Sequence, residues 1–177
     1  MGSPVWTLSN ALSALRLILA LPIGLALLRD EQPSLTLWVL IGVAIATDFL
    51  DGIAARALNS VSELGKILDP IADKILVGVV AFALAWRGTI PLWYVAAAIT
   101  RDVLIVAGGL YLRRTERAVP SSNLPGKWST VITALFLCLA IGKLTAPPWF
   151  DAALFGSVLM MIVSFGSYIR RFLSAIH

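Results

Sequence analysis

The chain has 177 residues, of which 59% are hydrophobic and only 14% charged, with a net charge of +4 and a mean hydropathy of +0.89. About a quarter of a soluble domain is charged, so these proportions exclude one and point to an all-α integral membrane protein. At this length one helix bundle is expected, a single domain spanning residues 1–177. Cys138 is the one cysteine and His177 the one histidine, which excludes a disulfide framework and a Cys/His metal cluster.

Met1 to Asn10 lacks the basic start of a cleavable signal, and Trp6 stands where a myristoylation motif needs Ser or Thr. Pro4 to Leu8 reads as a short interfacial segment anchored by Trp6. Six hydrophobic spans follow: Ser9–Leu28, Ser34–Ala57, Val61–Trp86, Ile90–Leu112, Pro125–Leu144 and Trp149–Phe172. Each is near or above the ~20 residues that cross a bilayer, and none alternates like a barrel strand, so a bundle of six transmembrane helices is predicted. Ser60-Val61-Ser62-Glu63 is a capping box that starts the third span. Pro70, inside that span, cannot donate to the carbonyl of Lys66, and a kink is expected there. Connectors are short except for the polar stretch Arg113 to Lys127.

The cations orient the bundle. One side holds Arg16, Arg56, Lys66, Arg113, Arg114, Arg117, Lys127, Arg170 and Arg171; the other holds Arg29, Arg87 and Lys143. By the positive-inside rule both termini are cytoplasmic, and a bacterial inner or cell membrane is the expected location.

The informative residues sit in spans two and three. Asp48 and Asp51 are three apart, and Asp69 and Asp73 four apart, so each pair shares a helix face. Ionisable groups in membrane spans are costly and mark function. Two such faces turned together make four hard oxygen donors that suit Mg²⁺ or Mn²⁺, and four carboxylates can hold two ions. Two ions can clamp a pyrophosphate, and a carboxylate outside the tightest coordination can take a proton from an attacking hydroxyl. Asp73, one turn beyond Asp69, is the geometric candidate for that base. Arg56 beside the cluster can pair with a phosphate.

The pattern D-x2-D-G-x2-A-R-x8-G-x3-D-x3-D is complete as Asp48, Asp51, Gly52, Ala55, Arg56, Gly65, Asp69 and Asp73. It is similar to the signature of the CDP-alcohol phosphotransferases, six-helix membrane enzymes. Leu8 to Arg16, Asp69-Pro70-Ile71-Ala72-Asp73-Lys74, Thr100-Arg101-Asp102 and Pro125 to Thr130 resemble the phosphatidylglycerophosphate and eukaryotic-type cardiolipin synthase branch. Two departures, Ser9 before Asn10 and Trp128-Ser129 in the fifth-span motif, bear on the acceptor and leave the chemistry intact.

The resemblance implies attack of an alcohol on the β-phosphorus of CDP-diacylglycerol, with CMP leaving. It implies Asp48, Asp51 and Asp69 as metal ligands, and Asp73 as the base that can also ligate. It implies Asn10, Asp51, Gly52, Ala55, Arg56, Gly65 and Asp69 along the nucleotide, and a homodimer. Acceptor-binding candidates are Arg101, Arg113, Arg114 and Lys127, cations that suit a phosphorylated alcohol. Arg101 beside Asp102 reads equally as a buried pair, and the basic loop equally as an anchor on anionic lipid. Glycerol 3-phosphate is the expected acceptor, with phosphatidylglycerol next and inositol phosphate behind; no nucleic-acid partner is expected.

Other classes make different demands. Caps or ion pairs with Arg56, Lys66 and Lys74 do not account for eight patterned positions. A divalent-cation transporter would place carboxylates near the midplane with a path to both faces, whereas these cluster toward one face. A non-catalytic relative would bind the CDP-lipid without turnover.

Overall fold

A computed structural model of the protein describes residues 8–29, 32–58, 65–115, 124–146 and 148–176. They form six helices and, among the described residues, no strand. These are α1 (Leu8–Arg29), α2 (Leu35–Leu58), α3 (Gly65–Trp86), α4 (Leu92–Arg114), α5 (Leu124–Ile141) and α6 (Trp149–Ile176). One helix answers each expected span. The capping box Ser60 to Glu63 and the interfacial residues before Leu8 lie outside the described residues. α3 runs uninterrupted through Pro70.

Two compact units divide the helices, Met1–Arg87 and Gly88–His177. In the first, α1 packs against both α2 and α3. Its buried stripe is Ser13, Arg16, Ala20, Ile23 and Leu27, one residue every three or four, while Ile18, Leu21, Leu25 and Leu28 on other faces are exposed. Gly24 lets α3 approach closely, since a Cβ there would lie 2.6 Å from Val79 Cγ1. At the end of α1 the carbonyl of Leu27 has lost its helical donor, and Arg87 Nη1 donates to it at 2.6 Å. At the start of α2, Ser34 Oγ accepts from the Leu37 amide at 3.2 Å, an N-cap.

In the second unit α6 packs against α4 and α5. Its buried stripe is Phe150, Leu154, Ser157, Met161 and Ser164, again at helical spacing. Tyr94 of α4 donates or accepts with Ser157 at 2.6 Å, and its ring lies 5.0 Å from that of Phe136 on α5. Phe136 in turn stacks 5.3 Å from Phe150. α5 ends in a Schellman turn, Leu144 N to Leu139 O and Lys143 N to Ala140 O, which puts Lys143 at φ 54°.

Both units bury serines and expose large apolar side chains such as Ile18, Phe82, Val103, Leu135 and Ile162. That inversion suits lipid, where helix contacts favour small residues and the outer face need not be polar. Among the described residues four helices are long and apolar enough to cross a membrane: α1, α4, α5 and α6.

Candidate active site

The site is built where three helices of the first unit meet. Asp48 stands on α2, Asp69 and Asp73 stand one turn apart on α3, and Ser13 and Arg16 stand on the buried stripe of α1. Thr47, beside Asp48, is buried and spends its hydroxyl on the Ala44 carbonyl at 2.7 Å, so it does not compete for the carboxylates.

Arg16 is the hub. Its Nη1 donates to Asp48 Oδ1 at 2.9 Å and also to Asp73 Oδ1, and its Nη2 lies 3.7 Å from Asp69 Oδ1. Ser13 Oγ donates to the same Asp69 oxygen. The Arg16 side chain is 1% exposed, against 28% for Asp69, 48% for Asp73 and 62% for Asp48. The cation thus forms a buried floor under carboxylates that reach the surface. A guanidinium in an apolar stripe is tolerable only because paired carboxylates offset its desolvation.

Asp48, Asp69 and Asp73 are therefore brought together on one cationic group. Asp51, Gly52, Ala55 and Arg56 belong to α2 and Gly65 to α3, but their side chains lie outside the described residues. Asn10 is buried on α1, three residues before Ser13 on the same face.

Carboxylate oxygens are the donors that Mg²⁺ and Mn²⁺ favour, and three of them already converge on a cation, so the residues fit a divalent ion in kind. Among the described residues no three such side chains are disposed as a ready-made metal site; the guanidinium stands between them.

The acceptor candidates belong to the second unit. Arg101 is 18% exposed, with Nη1 donating to Asp102 at 2.8 Å and Nη2 to Ser164 on α6 at 2.5 Å. The neighbouring carboxylate is thus one partner, and Ser164, which no motif singles out, is the other. Arg114 and Lys127 are exposed, and the side chain of Arg113 and all of Arg117 lie outside the described residues. Twelve residues of α4 separate Arg101 from Arg113, about 18 Å of helix, so one small acceptor does not reach both positions.

Two residues of the site carried no chemistry in the sequence reading. Arg16 reads in the sequence as one of the cations on one side of the membrane, and the structure shows it buried and committed to carboxylates. Ser13 was part of a flanking motif only. The signal that finds both is the polar series Asn10, Ser13, Arg16 at three-residue steps in an otherwise apolar helix.

The family model for CDP-alcohol phosphatidyltransferase matches residues 6–169. The chain is 35% identical over 138 residues to the CDP-diacylglycerol–glycerol-3-phosphate 3-phosphatidyltransferase of Bacillus subtilis, covering 75% of this chain and 71% of that one. It is 32% identical over 143 residues to the protein of the same name from Mycoplasma genitalium, covering 71% and 60%. It is 33% identical over 159 residues to the CMP-forming cardiolipin synthase of Rattus norvegicus, covering 80% of this chain but about half, 51%, of that one.

Proposed function

Because the chain belongs to the CDP-alcohol phosphatidyltransferase family, we propose that it moves a phosphatidyl group from CDP-diacylglycerol to an alcohol and releases CMP. Members of this family generally use divalent metal ions. The observation that carries the reading is the convergence of Asp48, Asp69 and Asp73 from two helices, at the positions of the family signature.

Asp48, Asp51 and Asp69 would hold the metal, Mg²⁺ or Mn²⁺ as two ions. When bound, the metal would offset the charge of the diphosphate and of the departing CMP. Asp73 accepts the proton of the acceptor hydroxyl. The hydroxyl oxygen forms a bond to the β-phosphorus as the bond from that phosphorus to the CMP oxygen breaks, and the electron pair leaves with CMP. Half-exposed Asp73 has access to such a hydroxyl, and its place one turn from Asp69 keeps it beside the ligands. Asn10, Gly52, Ala55, Arg56 and Gly65 line the nucleotide in this reading.

Glycerol 3-phosphate is the proposed acceptor, giving phosphatidylglycerophosphate, the reaction named for the Bacillus relative. Either Arg101, or Arg113 and Arg114 with Lys127, is proposed to receive its phosphate. A second reading, phosphatidylglycerol as acceptor, rests on the 33% identity to a cardiolipin synthase. We place residues 1–177 in one membrane domain, working as a homodimer in a cell membrane, with termini and site on the cytoplasmic side.

The test is CMP release by the purified protein in detergent, with CDP-diacylglycerol, a divalent ion and one acceptor at a time. Release with glycerol 3-phosphate alone is expected. Release with phosphatidylglycerol alone would move the protein to the second reading, and release with inositol phosphate alone would overturn both.

A further inference from the structure

Arg16 has no part in the reaction as proposed, yet it is the most deeply buried charge of the site among the described residues. Its single Nη1 is shared by Asp48 of α2 and Asp73 of α3, while Nη2 faces Asp69, so one side chain of α1 ties together two other helices. A divalent ion would draw on the same carboxylates, approaching from the exposed side, where Asp48 is 62% and Asp73 48% exposed.

We infer that Arg16 is a displaceable counter-cation: it holds Asp48, Asp69 and Asp73 together until a divalent ion binds, then gives up carboxylate oxygens to it, and its charge sets the affinity for that ion. The inference rests on the proposed metal-binding role of these aspartates. Two further observations support it. Ser13 donates to Asp69 independently of any cation, which keeps that carboxylate in register when Arg16 withdraws. Two cations that compete for one set of oxygens are reciprocally linked, so whatever strengthens the guanidinium contact weakens the ion's.

Arg16 is thus a positioning residue, and its loss has a sign that a purely structural role would not produce. An arginine that only props up the ligands would, once removed, weaken metal binding. A competing arginine would, once removed, strengthen it. The experiment is Mn²⁺ binding by electron paramagnetic resonance on the purified full chain in detergent, comparing wild type, Arg16→Gln and Arg16→Lys. Arg16→Gln is expected to bind Mn²⁺ more tightly by roughly 5- to 150-fold, the usual range of coupling between linked ligands, and Arg16→Lys, which keeps the charge, is expected to stay near wild type. Equal or weaker binding by Arg16→Gln would overturn the proposal.

Should Arg16→Gln fail to fold, the wild type decides. Its Arg16 Nε–H resonance, assigned by its loss in Arg16→Lys, should shift along a Mg²⁺ titration and saturate with it. A resonance that stays in place while Mg²⁺ binds would overturn the proposal. A wild type with no saturable Mn²⁺ or Mg²⁺ binding would instead sink the metal reading on which the proposal rests.

Discussion

Each unit of this protein sets an arginine among membrane helices, and the two meet different partners. In the second unit Arg101 meets one carboxylate, Asp102, and one hydroxyl, Ser164, so the formal charge balances. In the first unit Arg16 meets three carboxylates that reach the surface. A single pair is what a bundle needs to carry a charge through lipid. Three carboxylates gathered on one guanidinium go beyond that need. The contrast separates charge that holds a helix in place from charge that does chemistry.

The sharpest way to break the comparison is Asp73→Asn. If Asp73 is the base, turnover should fall by about 10²- to 10⁴-fold while binding of CDP-diacylglycerol persists, measured as CMP release and equilibrium lipid binding on one preparation. Normal turnover would remove Asp73 from the reaction. Next is Asp69→Asn, which should weaken metal and nucleotide binding together, by about 10- to 100-fold or more, since even groups behind metal ligands matter that much. Isothermal titration with Mn²⁺ and with a CDP analogue reads both; a loss in one alone would divide the roles assigned to that carboxylate.

Smaller effects sharpen the contrast itself. Asp102→Asn removes the one counter-charge of Arg101 and should destabilise the protein by about 1–3 kcal/mol, because the guanidinium stays largely buried. Asp48→Asn removes one of the three carboxylates around Arg16 and sits at an exposed position, so stability in metal-free buffer should change by no more than about 0.5 kcal/mol. Thermal unfolding of the two variants in detergent makes the comparison directly. Equal destabilisation by both would mean that Asp48 is as much a structural partner as Asp102.

Much of this was written in the local sequence. The six helices follow from apolar run lengths and their punctuation, and each appears within a few residues of its expected bounds. The aspartates were visible because an acid in an apolar run has no bland reading at four spaced positions. Arg16 was not visible, because a cation near the end of a span reads the same whether it reaches out to headgroups or inward to an acid. Only the packing of α1 against α2 and α3 tells them apart. The same holds for Arg101. Its neighbour Asp102 was legible as a partner, but Ser164, 63 residues away on α6, meets it only through the fold. Local spacing reveals which groups share a face; it is silent on which faces meet.

The measurement closest to the central claim is the dependence of CMP release on a divalent ion in the wild type, with CDP-diacylglycerol and glycerol 3-phosphate present. If the carboxylate cluster of the first unit is the metal-dependent centre, release should stop when a chelator removes the ion, and return with Mg²⁺ or Mn²⁺ in wild type but not in Asp73→Asn. Release that continues undiminished in chelator would contradict that account.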